Sequence, residues 1–320
     1  MTAPRWPAGA AAARADANGR ARDSANGAAQ ESANGAAREG ANGAVRSAPV
    51  VVLTYTHAGA RRLRTLLGDR PELACTSATG LLAACDQAAA AWRRTERRAD
   101  GSLSALATSS VRALATGMIT AIVARAGRPR WCETVAADRG AAETFLRLFP
   151  ATRFICLHRA CPDVVYAALR ANPWGISGPG FAPFTAAYPG STVAALGAWW
   201  GGHTGSMLAF EQAHPDSCLR LRYEDLLADT ERTAAGIGDF LGLTGGYPAL
   251  SVQPVGAGAG APDPAGADAP GCGAELPAGQ LPDALLTHVN GMLARLGYPP
   301  MGRDPRPPAA PVDDADPRTP

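Results

Sequence analysis

The chain has 320 residues, of which 30 are basic and 28 acidic, so its formal net charge is +2. All of the basic residues are arginines. This balance of charges argues against a strongly basic surface, and we expect no nucleic-acid partner. Hydrophobic residues make up 47% of the chain and charged residues only 18%, so the chain can bury a sizeable core.

No uninterrupted apolar segment reaches the length of a membrane-spanning helix, which is about 18–20 residues. The longest, at 113–124, lies between Arg112 and Arg125. The N-terminus has no apolar leader, so we expect a cytoplasmic protein without membrane association. The seven cysteines include no CxxC pair. We interpret them as buried thiols of a reducing compartment, and we predict no metal site.

Three segments have the composition of disordered chain. Residues 1–48 contain an eight-residue repeat that begins at Ala17 as ANGRARDS, and each copy carries Asn-Gly. No large apolar residue recurs in the repeat, so burial cannot offset the entropy of ordering. We therefore predict a disordered tail over 1–48, one folded domain over 49–300 with a low-complexity loop at 254–276, and a loose tail over 301–320.

Strands and helices are predicted to alternate along the folded domain. The strands are expected at 50–55, 130–133, 153–158 and 218–223, and the helices at 61–67, after Pro162, at 230–241 and around 285–296. The first strand is a continuous Val and Leu run, which is typical of a strand buried on both faces of a parallel sheet. The pattern predicts an α/β fold of three layers with a central parallel sheet, whose ligand binds at the carboxyl ends of the strands.

The turn after the first strand has the composition of a phosphate-binding loop. It reads His57-Ala58-Gly59-Ala60, and a helix follows from Arg61. The unpaired backbone N–H groups at the start of such a helix point toward the carboxyl end of the strand. The sequence therefore predicts a P-loop-like anion site at this turn.

Three segments resemble motifs of sulfotransferases that use 3′-phosphoadenosine 5′-phosphosulfate (PAPS). TYTHAGARRL, which starts at Thr54, resembles the TYPKSGTTW loop that binds the 5′-phosphosulfate. FPATRFICLHRACPDVVYAALR, from Phe149, is similar to the 3′-phosphate signature, and LRLRYEDLL, from Leu219, is similar to the RYEDL segment. The likeness covers about residues 49–252 and 278–300. It implies a sulfotransferase-like fold, PAPS as the co-substrate and sulfuryl transfer as the reaction.

The resemblance also implies which residues contact the nucleotide. Those positions are His57, Ala58, Gly59, Ala60, Arg61, Arg159, Ala167 and Tyr223. Arg159 would bind a phosphate, with an ion pair to Asp163 or Glu224 as the alternative. Tyr223 would lie beside the adenine, with a plain core position as the alternative.

Several positions depart from the family pattern. The lysine that stabilises the leaving group is His57 here, and the serine that caps the 3′-phosphate is Ala167. A lysine of related bacterial and tyrosine-directed enzymes aligns with Thr134, and the basic glycine-rich C-terminal loop has no counterpart in 254–276. The loop hydroxyls are replaced at Ala58, Ala60 and Arg61. Together these losses are expected to weaken PAPS binding by about 4–7 kcal/mol if the contacts are independent.

Sulfuryl transfer needs a group that stabilises the leaving oxygen and a base that takes the acceptor proton. We assign the first role to His57, because a neighbouring phosphate favours its imidazolium form. A polar loop residue without chemistry is the alternative. Glu133 and His203 are the candidate bases, and for Glu133 a structural carboxylate is the alternative.

Residues 171–210 contain no charged side chain but several aromatic ones. We interpret them as a long loop over an apolar acceptor, or alternatively as an Ω-loop that packs on the core. The predicted function is therefore sulfuryl transfer from PAPS to a hydroxyl or amine of a small, fairly apolar molecule, in secondary metabolism as in the bacterial branch that it resembles. The alternatives are a catalytically silent binding or scaffold protein of this fold and a transferase with altered chemistry. The oligomeric state is left open.

Overall fold

The computed structural model describes residues 48–77, 79–172, 180–243, Gly271 and 280–302. The predicted low-complexity segments lie outside this part of the chain, except at positions 48, 271, 301 and 302. Ala48 is buried, so the folded domain includes the last residue that was assigned to the N-terminal tail.

Five parallel strands form the sheet in the described residues. They are β1 Val50–Thr54, β2 Leu73–Ser77, β3 Arg130–Ala136, β4 Arg153–His158 and β5 Cys218–Arg222. Their spatial order is β2-β3-β1-β4-β5, so β1 is central and β2 and β5 are the edges.

Ten α-helices accompany the sheet in the same part of the chain. They are α1 Ala60–Gly68, α2 Leu81–Glu96, α3 Ala105–Ala126, α4 Arg139–Leu148, α5 Cys161–Ala171, α6 Ala182–Ala187, α7 Thr192–Ala213, α8 Tyr223–Ala228, α9 Thr230–Leu241 and α10 Asp283–Arg295.

The sheet lies between two helical layers because its side chains alternate between two apolar cores. On one face Val51, Leu53 and Trp131 pack with α2, α4, α5, α7 and α10. On the other face Val50 and Val52 pack with α1, α8 and α9. Every residue of β1 is buried, as its continuous apolar run predicts for a strand covered on both sides. The predicted three-layer α/β fold is confirmed.

One helix is long enough to bear on the expectation of no membrane association. Helix α3 is, within the described ranges, long and apolar enough to cross a membrane by length and composition. The apolar run at 113–124 ends at Arg112 and Arg125, but the helix continues through both positions. An 18-residue stretch of α3 has a mean hydropathy of 1.4 and is 17% buried. One side, with Ala107, Val111 and Ala115, is buried against the rest of the protein.

The segment 171–210, which we expected to be a long loop, is largely helical. That expectation is wrong for residues 182–187 and 192–210. Residues 173–179 lie outside the described part of the chain. Helix α7 is capped by Ser191, whose Oγ accepts from the Ala194 N–H at 3.2 Å. Its glycines permit close packing, because a Cβ on Gly201 would lie 3.0 Å from the His288 ring of α10. Glycine content therefore marks a close helix contact here rather than a loop.

Candidate functional site

The turn between β1 and α1 has the shape of a phosphate loop. His57 has a φ of 67° and Gly59 a φ of 91°, so the backbone turns twice through the left-handed region. The Ala58 N–H donates to the Tyr55 carbonyl at 3.1 Å, which closes the turn. Helix α1 then begins at Ala60, at the carboxyl end of the central strand.

Backbone donors collect at the start of α1. The first helical bond runs from the Arg62 N–H to the Gly59 carbonyl at 3.1 Å. The N–H groups of Gly59, Ala60 and Arg61 have no acceptor among the described residues. Unsatisfied donors at a helix N-terminus carry partial positive charge and suit an anion. The turn therefore offers backbone donors of the kind that the predicted anion site would use.

Gly59 also allows a side chain to approach the loop closely. A Cβ at this position would lie 2.1 Å from the Cδ2 and Cε2 atoms of Tyr223. Tyr223 is 2% exposed, so its ring is buried against the loop as a core residue is. The contact matches the core alternative for Tyr223 and places the ring beside the candidate anion site.

Arg159 joins β4 to the same loop. Its side chain is fully buried, and its Nη1 donates to the His57 carbonyl at 2.9 Å. Its guanidinium carbon lies 4.8 Å from the centre of the Tyr223 ring. The structure thus brings together Arg159, His57 and Tyr223, three of the residues that the resemblance assigns to the nucleotide.

A buried hydroxyl fixes the backbone of Arg159. The Tyr55 hydroxyl donates to the Arg159 carbonyl and accepts from the Arg159 N–H, both at 3.0 Å. The Trp200 indole N–H lies 3.0 Å from the same hydroxyl and 2.9 Å from the same carbonyl. Burial raises the pKa of Tyr55 well above its usual value. Sequence reasoning missed this role of Tyr55 and Trp200.

Two carboxylates continue the site around the start of α5. The Glu224 Oε1 accepts from the Ala160 N–H at 3.0 Å, and its Oε2 accepts from the Tyr298 hydroxyl at 2.5 Å. Burial and the Glu224 charge raise the pKa of Tyr298 far above its usual range. The Asp163 Oδ2 accepts from the Gly271 N–H at 2.7 Å. The site therefore contacts Tyr298, which sequence reasoning did not identify, and one residue of the 254–276 segment.

The side chains of Ala58 and Ala167, two positions of the predicted nucleotide site, are buried. Ala58 is 1% exposed and belongs to one apolar core, and Ala167 of α5 is 2% exposed. Arg61, by contrast, is exposed at the first turn of α1.

Glu133 is buried in the middle of β3, level with Val51 of β1 and Thr76 of β2. Its Oε1 accepts from the Thr79 N–H at 2.5 Å, just before α2. Its Oε2 has no hydrogen-bond partner within the part of the chain that the structure describes. Burial raises the pKa of Glu133 above its ordinary value. This bond connects Glu133 to the segment just before α2 and not to the β1–α1 turn.

His203 is connected to the turn through aromatic contacts. It lies on α7 and is half-buried, with its ring centre 4.6 Å from that of Trp199. Trp199 in turn packs edge-on against Tyr55 at 5.9 Å. The His203 Nδ1 is 2.9 Å from the Trp199 carbonyl, an oxygen that can only accept. Nδ1 is therefore the donor, and in the neutral ring Nε2 carries the lone pair that a base needs.

A second buried polar network lies next to Arg159 in the sequence. The His158 Nε2 is 2.6 Å from the Glu211 Oε1, and the Glu211 Oε2 accepts from the Arg220 Nε at 2.6 Å. Burial alone would raise the pKa of Glu211, but the bonds from His158 and Arg220 hold it below its ordinary value. The network joins β4, β5 and α7.

A cavity of about 590 Å³ lies among α2, the segment 100–103, α3 and α4. None of the predicted site residues lines it.

Comparison with known proteins identifies a family and several similar structures. The model of the Sulfotransferase family matches residues 49–247. The sulfotransferase domain from the curacin biosynthetic pathway is 14% identical, with a TM-score of 0.50, over 79% of this chain and 98% of that domain. The sulfotransferase domain of the Synechococcus PCC 7002 olefin synthase is 19% identical, with a TM-score of 0.37, over 61% of this chain and 74% of that one.

A sulfotransferase from Mycobacterium avium is 13% identical, with a TM-score of 0.36, over 61% of this chain and 63% of that one. At such identities the structural likeness concerns the fold alone. Among curated proteins, none matches the chain significantly.

Proposed function

Because the chain belongs to the sulfotransferase family and is therefore a transferase, we propose that it moves a sulfuryl group from PAPS to a hydroxyl or amine of a small, apolar acceptor. The observation that carries this proposal is the group of N–H donors on Gly59, Ala60 and Arg61, on the loop whose His57 carbonyl accepts from the buried Arg159. The proposed setting is cytoplasmic secondary metabolism.

The donor phosphates would lie against the start of α1. The N–H groups there supply hydrogen bonds and the positive end of the helix dipole. Arg61 is exposed on the first turn and adds a guanidinium fork, whose geometry suits phosphate oxygens. These contacts offset part of the binding that the family lysine and hydroxyls would supply.

In the proposed reaction the acceptor oxygen or nitrogen attacks the sulfur of PAPS. The bond between sulfur and the bridging oxygen breaks, and that oxygen leaves with the nucleotide. His57, as an imidazolium, would donate a hydrogen bond to the leaving oxygen, and such a charge-assisted bond contributes about 1.5–3 kcal/mol. The His57 backbone is held in place by Arg159.

His203 is the better supported of the two candidate bases. Its Nδ1 is engaged with the Trp199 carbonyl, which leaves Nε2 to accept the acceptor's proton. The ring contact between Trp199 and Tyr55 connects it to the β1–α1 turn. Glu133 is bonded to Thr79 instead, and we propose a structural role for it.

An apolar acceptor is supported by the composition around His203. Residues 171–210 carry no charge, and the Phe184 ring lies 3.6 Å from a Cβ built on Gly202 of α7. Trp199, Phe184 and Tyr188 offer aromatic surface that favours an apolar molecule and excludes a strongly charged one.

The first test measures binding of the desulfated nucleotide, 3′-phosphoadenosine 5′-phosphate. At 100-fold over its Kd it should stabilise the wild-type chain by about 2.7 kcal/mol. Arg159→Ala should weaken this binding about 10- to 150-fold, which corresponds to about 1.5–3 kcal/mol. Arg112→Ala is the matched control, since Arg112 also donates to a carbonyl, that of Leu148 at 2.7 Å, but on α3.

The second test supplies PAPS with radioactive sulfur to panels of phenols, aliphatic alcohols and amines. Transfer to apolar hydroxyl or amine acceptors supports the proposal. Absence of nucleotide stabilisation in folded wild type would exclude PAPS as the donor. Nucleotide binding without transfer to any acceptor would favour the silent relative.

A further inference from the structure

Two cysteines face each other across neighbouring strands. Cys75 of β2 and Cys132 of β3 are direct partners in the parallel register, and both pack into the core on the α1 face of the sheet. Neighbouring strands lie about 4.8 Å apart. That separation falls within the Cα distances that a disulfide accepts, about 4.4–6.8 Å. A disulfide between Cys75 and Cys132 therefore requires little backbone movement.

The two thiols differ in their access to solvent. β2 is an edge strand, and Cys75 on it is half-buried. Cys132 is 1% exposed. The accessible thiol can react with an oxidant from solution, and its buried partner can then form a disulfide with the oxidised sulfur.

Charges around Cys75 favour its thiolate. The hydrogen bond from the Cys132 thiol lowers the pKa of Cys75 most, burial opposes this effect, and Arg128 and Arg64 lower the pKa further. The Arg128 guanidinium is fixed, because its Nη1 lies 2.7, 2.8 and 2.7 Å from the carbonyl oxygens of Gly68, Arg70 and Leu73. The positive charge is therefore held next to the strand that carries Cys75.

The opposite edge of the sheet provides a contrasting pair. Cys156 of β4 and Cys218 of β5 are also neighbours, but Cys218 is in register with Phe154. An offset of two residues separates their Cα atoms by about 8 Å, which exceeds the reach of a disulfide, about 7 Å. The buried thiol of each pair, Cys156 here and Cys132 in the first pair, has a raised pKa. The Cys156–Cys218 pair therefore differs from the first pair in lacking the geometry for a disulfide.

We propose that Cys75 and Cys132 form a site of reversible oxidation by hydroperoxides. The Cys75 thiolate attacks one peroxide oxygen, the O–O bond breaks, and the hydroxide that leaves takes a proton to become water. The Cys132 sulfur then attacks the resulting sulfenic acid, the S–O bond breaks, and the thiol proton leaves with the oxygen as a second water. Two thiols become one disulfide, and one hydrogen peroxide becomes two waters. An added thiol reductant restores both thiols by exchange.

The test treats the full chain with one equivalent of hydrogen peroxide, quenches it by alkylation of free thiols, and maps the peptides by mass spectrometry. Cleavage after arginine leaves Cys75 and Cys85 in one peptide, so fragmentation must assign the bridged residue. We expect the Cys75–Cys132 bridge to form first and to disappear with dithiothreitol. Cys156 and Cys218 should remain alkylated as free thiols.

Three single variants separate the roles. Cys75→Ser should slow thiol loss about tenfold, the change expected when the most ionised thiol is removed. Cys132→Ser should leave a sulfenic acid at Cys75 that dimedone labels. Cys218→Ser is the matched control, because it removes the partly exposed thiol of the other pair, and it should oxidise at the wild-type rate.

The peptide map of wild type alone can overturn the proposal, whatever the variants do. A first bridge at any other pair, equal oxidation of the two pairs, or no bridge at one equivalent of peroxide would each contradict it. Failure of dithiothreitol to recover the free thiols would refute its reversibility.

Discussion

Replacement of Gly59 by alanine tests whether the β1–α1 turn depends on one missing side chain. Two separate penalties are expected at this position. The backbone has a φ of 91°, in the left-handed region that L residues enter at a cost of about 1–2 kcal/mol. In addition, the new Cβ would lie 2.1 Å from two carbons of the Tyr223 ring.

The collision should lower the free energy of unfolding because the Tyr223 ring is buried and cannot move away easily. Tyr223 is 2% exposed and stacks on Arg159 at 4.8 Å. Overpacking of a tight core costs about 1–3 kcal/mol. Gly59→Ala should therefore lose about 2–5 kcal/mol of unfolding free energy in total.

Gly127→Ala is the matched control for the first penalty. Gly127 has a φ of 62° at the end of α3, and a Cβ there would meet nothing within 4 Å. It should cost about 1–2 kcal/mol. Urea denaturation of the two variants measures the difference, and about 2–4 °C of melting temperature corresponds to each kcal/mol in a domain of this size.

The two variants must differ for the reasoning to stand. If Gly59→Ala and Gly127→Ala lose the same free energy, the ring does not press on the loop and the collision argument is refuted. A double variant with Tyr223→Ala adds a second check, because removal of the ring should make the Gly59→Ala change less costly than it is alone.

Further predictions concern acidity, the leaving group and the tail. Burial in the folded state raises the pKa of Glu133 above 4.5, so the wild type should lose stability relative to Glu133→Gln as the pH rises above about 4.5. The loss should be about 1.4 kcal/mol for each unit by which folding raises the pKa. A difference in melting temperature between the two proteins that is independent of pH would contradict this. His57→Ala should lower kcat more than it raises KM, and His57→Lys should keep activity at alkaline pH, where the wild-type imidazolium is lost; full turnover of His57→Ala would exclude the leaving-group role. Deletion of residues 1–47 should leave the melting temperature within about 2 °C, and a large decrease would show that the tail packs on the domain.

The central strands were predictable because their sequence pattern is local. β4 has the bounds 153–158 and α9 the bounds 230–241, as the apolar runs and the helical face predict. β1 differs by one residue, since Tyr55 leaves the strand to bond with Arg159. Strands buried on both faces need no alternating polar residues, so the apolar runs of β1 and β4 identify them as central strands.

The edge strand β2 and the helix α3 lacked such a pattern. β2 reads LACTS, and its last three residues are not fully buried, so neither a continuous apolar run nor strict alternation is present. Helix α3 has apolar and small residues around its whole circumference, and only three of them are buried. Without an amphipathic stripe its register against the sheet cannot be read from the sequence.

The site was predictable where it follows a motif and unpredictable where it depends on distant contacts. The sequence placed His57 and Arg159 each just after a strand, and the structure shows that these strands are neighbours and joins the two residues. The bonds from Tyr55 and Trp200 to Arg159 connect residues 104 and 41 positions apart. Sequence periodicity carries no signal for pairings of that length.

The contacts of Arg159 explain how the turn keeps its shape without the lysine and hydroxyls of the family loop. His57 is a non-glycine residue with a φ of 67°, a conformation that costs about 1–2 kcal/mol. The charge-assisted bond from Arg159 to the His57 carbonyl contributes about 1.5–3 kcal/mol, which offsets that strain. Tyr55 and Trp200 fix the Arg159 backbone in turn. Contacts within the protein therefore hold the turn in its left-handed conformation, with the Gly59, Ala60 and Arg61 N–H groups at the start of α1.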